Sequence, residues 1–317
     1  MQAAIGQARE NEGKSMARGE VPGSGFGPIS RRTLLWSAAA AGAVVGGTVL
    51  SARTGDPTIT TLKRLAGFDN GPAKPGAVRI EKVRSRARNR VVDMVTMYPT
   101  PDPEPDLPVC LLLHGRFGSA RLASFGKLPK VLSTLVHNEL VPPFALVALD
   151  GGPNSYWHRY RPDDDPMEML LEEFPEWMHE RQLGDGNGTP FAITGVSMGG
   201  FGALVYARRR LEANNPLKAA AVVSPALMTS WNEMKTRNAF ADQAAWSALD
   251  PLRHIDKLGK LPLGVWCGTE DRFITGTRQF IKAARPQVAS TSPGGHNDIY
   301  YTHAAPEVVD FLGRYVP

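Results

Sequence analysis

Cysteine is nearly missing from this chain, with two in 317 residues. That supply excludes a disulfide-stapled fold, and no Cys/His cluster has the spacing of a zinc site, which excludes zinc hydrolase chemistry. Both cysteines, Cys110 and Cys267, fall inside apolar runs and read as small buried hydrophobes. A basic excess is missing too. The formal net charge is +5, and residues 1–52 hold five lysines and arginines against three glutamates, leaving +3 for the remainder. Nucleic acid is therefore excluded as a partner. Arg84, Arg86, Arg88 and Arg90 do recur at period two, which puts them on one face of an extended segment. The expectation there is a solvated edge strand guarded by charge, with contact to an anionic envelope as the alternative. The run Asp163-Asp164-Asp165 reads as a solvated loop, with weak calcium binding as its sharper alternative. No internal repeat is present.

What the chain does have is apolar content, 42% by residue count, enough for one large core. Apolar or β-branched runs predict strands at 91–98, 108–113, 144–149, 190–196, 218–224, 261–267 and 287–291. Several are continuous, as parallel strands covered on both faces are, and helical patterns alternate with them, so a single α/β domain follows. A further run at 78–84 is expected as an antiparallel edge. Residues 153–187 and 229–260, rich in Trp, Met, Pro and charge, are expected to cap the mouth of any site on this sheet.

The most informative stretch is Ala192 to Gly200, Ala-Ile-Thr-Gly-Val-Ser-Met-Gly-Gly. A β-branched run enters a G-x-S-x-G and leaves it into a small-residue helix start, the sequence form of a nucleophile elbow. The pattern alone also arises by chance, so context decides. Upstream, the run 108–113 ends at His114-Gly115-Arg116-Phe117-Gly118, where an oxyanion loop belongs. Downstream, the run ending at Cys267 is followed by Gly268-Thr269-Glu270-Asp271, which offers a carboxylate. Asp271 is preferred over its neighbour Glu270. Later, His296 stands in Pro293-Gly294-Gly295-His296-Asn297-Asp298, ahead of a helical stretch from about 305 to 315. The order Ser, Asp, His is that of α/β-hydrolase sheets. In this reading Ser197 is the nucleophile, His296 the general base and Asp271 its orienting acid, while the backbone N–H groups of Arg116 and Met198 form the oxyanion hole. Asp298 reads as a loop cap, His114 as a residue that orients the oxyanion loop or packs, and His158, His254 and His303 have no motif around them.

From residue 78 to 317 the chain resembles the esterase D type of serine esterases, a group that includes formylglutathione hydrolase and the secreted mycolyltransferases. Glu173-Phe174-Pro175-Glu176-Trp177-Met178 resembles a segment that precedes the nucleophile strand in the mycolyltransferase branch. Leu149 to Trp157, Leu-Asp-Gly-Gly-Pro-Asn-Ser-Tyr-Trp, is similar to that group's Gly-Gly and aromatic-bearing loop near the acyl site. The resemblance implies an α/β-hydrolase fold: a mostly parallel sheet with helices on both faces and cap insertions. It implies carboxylester hydrolysis or acyl transfer on a small-molecule or lipid ester with no cofactor, and it makes Phe117, Tyr156 and Trp157 substrate-binding candidates. One departure stands out: the mycolyltransferase oxyanion loop is of Asp-Gly-Leu-Arg type, whereas here it is His114-Gly115-Arg116-Phe117, which favours a plain esterase.

Ser30-Arg31-Arg32-Thr33-Leu34-Leu35 is a twin-arginine pattern, followed by twenty uncharged residues from Thr33 to Ala52. Residues 1–52 therefore read as a twin-arginine export signal or membrane anchor, 53–77 as a linker and 78–317 as the catalytic domain. About twenty apolar residues can also span a bilayer; Gly42, Gly46 and Gly47 suit a signal better. Three classes of function follow: exported serine esterase, secreted acyltransferase on envelope glycolipids, and a non-catalytic envelope protein on the same scaffold.

Overall fold

The computed structural model describes residues 73–317; the twin-arginine segment and most of the expected linker lie outside the described residues. Eight strands form one sheet: β1 (Val78–Ser85), β2 (Arg90–Met97), β3 (Val109–Leu113), β4 (Ala145–Leu149), β5 (Ala192–Val196), β6 (Ala219–Val223), β7 (Leu263–Gly268) and β8 (Val288–Ser292). Their order is β1-β2-β4-β3-β5-β6-β7-β8. β1 pairs antiparallel with β2 and β2 with β4, and the other pairs are parallel. This is the α/β-hydrolase arrangement expected from the chain order of the motifs. β3 to β7 are buried at every position, which is why they read as unbroken apolar runs. The cysteines lie on β3 and β7, with two strands between them.

Six helices of a turn and a half or more flank the sheet: α1 (Leu128–His137), α2 (Phe174–Glu180), α3 (Met198–Glu212), α4 (Gln243–Leu249), α5 (Ile274–Ala284) and α6 (Asp298–Gly313). Alternate residues of the strands face opposite layers. Val109, Leu111 and Leu113 join the layer of α3 and α5, whereas Cys110 and Leu112 join that of α1 and α6. α6 begins seven residues before its expected start. Asn297 Oδ1 accepts from the N–H groups of Ile299 and Tyr300 at 3.1 and 3.2 Å, a side-chain cap, and Pro306 sits inside the helix where it reads as a start.

The arginine stripe is overturned. The chain reverses at 86–89, with Asn89 at φ 48°, so the four arginines do not share one strand face. Arg88 is buried, pairs with Asp164 at 2.7 Å and donates to the Asp150 carbonyl. Buried Glu173 secures the same turn, accepting from Ser85 Oγ at 2.6 Å and from the N–H groups of Arg86 and Ala87 at 2.7 and 3.1 Å. The acidic run is not a solvated loop either. Asp164 takes Arg88 and Arg90, and Asp165 caps a helical turn through Met167 and Glu168 N–H while pairing with Arg159. Among the described residues no cluster of side chains could hold a metal ion.

Candidate active site

The site is built at the carboxyl ends of β3, β5 and β7, where an open α/β sheet leaves its loops free. β5 delivers Ser197 on a turn with φ 57° and ψ −119°, a conformation costly for a residue with a side chain. The flanking glycines answer a lack of room. A Cβ on Gly195 would meet the Gly199 carbonyl oxygen at 2.5 Å, and one on Gly199 would meet that of Leu113 at 2.1 Å. Ser197 thus stands clear of the sheet, and its N–H donates to the Val223 carbonyl at 3.1 Å.

Three side chains expected from sequence come together here. His296 Nε2 lies 3.0 Å from Ser197 Oγ, and His296 Nδ1 lies 2.8 Å from Asp271 Oδ2. Asp271 is 2% exposed, and its Oδ1 accepts from the Phe273 N–H at 2.9 Å. Burial acts to raise the Asp271 carboxyl, but the bonds from His296 and from the Phe273 N–H outweigh it and hold the group below the usual carboxylate range. An ionised Asp271 requires a hydrogen on Nδ1, which leaves the Nε2 lone pair to accept from the serine hydroxyl. Glu270, the competing acid, is exposed, and only its N–H is engaged, donating to Gly294 at 3.0 Å.

The N–H groups of Arg116 and Met198 donate to no other described residue, and Arg116 lines the same cavity as Ser197 and His296. The peptide carrying the Arg116 N–H is held from behind. Its carbonyl, on Gly115, accepts from His114 Nδ1 at 2.8 Å and from the Gly118 N–H at 3.0 Å. His114 is completely buried, and its Nε2 accepts from the Gly151 N–H at 2.9 Å, which fixes the tautomer. Burial lowers its pKa, so the ring is neutral. Further ties to residues 151–157 hold the loop: Phe117 N–H donates to Pro153 at 2.6 Å, Arg116 Nε to Asn154 Oδ1 at 2.8 Å, and Trp157 Nε1 to the His114 carbonyl at 3.3 Å.

The cavity over Ser197 measures about 470 Å³, and Leu122, Phe125 and Tyr301 supply its apolar wall. Phe117, 69% exposed, lies under the Arg116 guanidinium at 4.4 Å. Leu122, which lines the cavity, and Ile299 are also exposed, at 75% and 84%. The other two aromatic candidates are misplaced by the sequence reading. Tyr156 is 2% exposed and Trp157 fully buried, and both belong to the core beneath α3. Trp157 packs against Gly151 and Gly202, where a Cβ would come within 2.5 Å of the indole. They support the oxyanion loop and offer substrate no surface.

Of the expected caps, Met178, Leu183 and Trp246 enter the core, while Asn154 bonds to Arg116 and Arg237 lies over Phe273. Asn154, Arg237 and Phe273 escape sequence reasoning, because Asn154 and Arg237 meet across 83 residues of chain and no local pattern marks such a contact.

A family model described as "Putative esterase" matches residues 85–306. No curated protein matches the chain. Solved structures share its fold at low identity. A ferulic acid esterase superposes with TM-score 0.63 at 21% identity, covering 76% of this chain and 98% of its own. An S-formylglutathione hydrolase from Agrobacterium tumefaciens gives 0.61 at 16%, covering 78% and 98%. MPT51 from Mycobacterium tuberculosis gives 0.61 at 16%, covering 76% and 100%.

Proposed function

The chain belongs to the esterase family, and from that premise we propose that it is an exported serine carboxylesterase working through an acyl-enzyme on Ser197. The observation that carries the reading is the continuous contact from Ser197 Oγ to His296 Nε2 at 3.0 Å and from His296 Nδ1 to Asp271 at 2.8 Å. His296 takes the hydroxyl proton as Oγ bonds to the ester carbonyl carbon, and the carbonyl oxygen, now an anion, faces the N–H groups of Met198 and Arg116. Collapse breaks the bond to the alcohol oxygen, which takes the proton from His296. Water, deprotonated by the same imidazole, then releases the acid and restores Ser197. Each oxyanion donor is worth about 2.7–4 kcal/mol of barrier. A fluorophosphonate is expected to label Ser197, and Ser197→Ala to abolish both labelling and ester hydrolysis. Undiminished turnover by the alanine variant would reject the serine mechanism, and a parent protein with neither labelling nor turnover would leave the non-catalytic reading.

A second reading, acyl transfer to an envelope glycolipid, draws support from the exposed apolar side chains of Phe117, Leu122 and Ile299. Both reactions pass through the same acyl-enzyme and differ in the nucleophile that resolves it. An added sugar acceptor that diverts product from free acid to ester favours transfer, and free acid at every acceptor concentration favours hydrolysis.

Export is supported by the twin arginines and the uncharged stretch after them. Arg31→Lys with Arg32→Lys is expected to retain the enzyme inside its native host. Fractionation that finds the unaltered protein soluble in the cytoplasm, unaffected by the paired change, would reject export.

A further inference from the structure

Three arginines, Arg116, Arg237 and Arg272, are linked to one another through Phe273 and Asn154. Arg237 and Arg272 lie over the same Phe273 ring, their guanidinium carbons 5.8 and 5.7 Å from its centre. That ring meets the His296 imidazole edge-on at 5.1 Å. Arg116 is tied into the group through Asn154, whose Oδ1 accepts from Arg116 Nε at 2.8 Å and whose Nδ2 donates to the Arg237 carbonyl at 2.7 Å. Burial pushes the pKa of the Tyr156 hydroxyl up, and the charges of Arg237, Arg116 and Arg272 pull against it. Among the described residues none of the three forms an ion pair. Arg237 Nε is also buried without a hydrogen-bond partner. A buried guanidinium nitrogen without a partner costs stability, so Arg237, with Arg272 over the same ring, offers a place for an anion.

Space for one is present. Arg237 and Arg272 line a cavity of about 490 Å³, separate from the cavity over Ser197. The first turn of α5 enters its wall with Thr275 and Gly276, and that turn has neither an acidic residue nor a side-chain cap. Unpaired N–H groups and the helix dipole add positive potential there. The carboxylate on the wall, Glu233, is turned to its own loop, accepting from the Thr229 N–H at 3.1 Å.

We propose that this cavity is an anion subsite that takes a carboxylate or phosphate carried on the alcohol half of the ester substrate. The inference rests on Ser197 as nucleophile and adds the substrate class. The side follows from the chemistry. His296 returns its proton to the departing alcohol oxygen, so the alcohol lies toward the imidazole, and Phe273 continues from the imidazole to the two guanidinium groups. The acyl half is left with Leu122, Phe125 and Tyr301. Planar guanidinium groups bind carboxylate and phosphate oxygens in pairs.

Acetyl esters of straight-chain ω-hydroxy acids and of ω-hydroxyalkyl phosphates, with methyl esters of the same acids as neutral controls, test this on the full chain by acid release. The anionic esters are expected to exceed the neutral ones in kcat/KM by about tenfold or more, with the excess shrinking as salt is raised. Arg237→Gln with Arg272→Gln is expected to remove most of that ratio. Arg272→Gln alone, a change at an exposed side chain, serves should the double variant fail to fold. The better of the two anionic series identifies the anion. A ratio near one, a ratio that survives the variants, or a preference confined to anions on the acyl half overturns the proposal. Calorimetric titration with inorganic phosphate reads the subsite without turnover. Saturable binding that the arginine variants lose supports the subsite even where Ser197→Ala leaves hydrolysis intact, an outcome that would reject the nucleophile alone; no such binding counts against the subsite itself.

Discussion

Asp271 and Glu270 are neighbours with the same functional group, and their surroundings give them different work. Asp271 is buried, bonded to His296 and held ionised by its donors, whereas Glu270 is exposed. Asp271→Asn is expected to lower kcat on the order of 10⁴-fold by reversing the imidazole tautomer, and Glu270→Gln to leave it nearly unchanged. Steady-state kinetics of the two variants checks this, and the reverse pattern would transfer the role to Glu270. Ser197, His296 and Asp271 were all legible in sequence, because each follows a strand that reads clearly and stands among glycines that mark a loop. Tyr156 and Trp157 were not. Sequence shows an aromatic pair after Gly151-Gly152 but not its direction, and the backbone here takes two successive positive φ angles, 47° and 58°, which turn both rings into the core. Arg237 and Arg272 were invisible for another reason: an arginine without a partner looks like any surface arginine until the fold brings it beside another.

Elements were legible in proportion to how completely they are covered. β3 to β7, buried on both faces, came within a residue or two of their expected bounds. The edge was harder, since the period-two arginines read straight through a hairpin. At that turn Arg88 holds β1 and β2 to the loop of Asp150 and Asp164, and its side chain is 2% exposed. Arg88→Ala leaves Asp164 to Arg90 alone and removes the bonds that hold the loop behind the oxyanion peptide, so a loss of about 2 kcal/mol is expected. Arg84→Ala, at an exposed side chain of the same apparent stripe, is expected to cost no more than about 0.5 kcal/mol. Urea denaturation of the two variants decides, and equal losses would return the stripe to the surface reading.

Across the whole molecule the groups whose pKa is lowered act in one direction, and buried Asp250, whose carboxyl burial raises, acts against them. Burial lowers the pKa of His114 and of His158 from the ordinary 6.5. The unfolded chain binds protons on both rings more readily than the fold does. Their contribution is therefore complete above about pH 6.5 and is lost as the pH falls below it. Asp271, held below its ordinary 3.8, adds stability present above that value and lost further into acid. Thermal midpoints taken from about pH 7.5 to pH 2.5 are expected to fall in two stages, and a midpoint that rises on first acidification would contradict the assignment. The peptide between Gly115 and Arg116 carries a last consequence. His114 and Gly118 grip its carbonyl in the resting chain, so the donor that meets the developing charge is set during folding, and no loop has to travel to assemble it. Such an enzyme has little to gain from a slow closing motion, and its tempo is left to bond making, bond breaking and the departure of product.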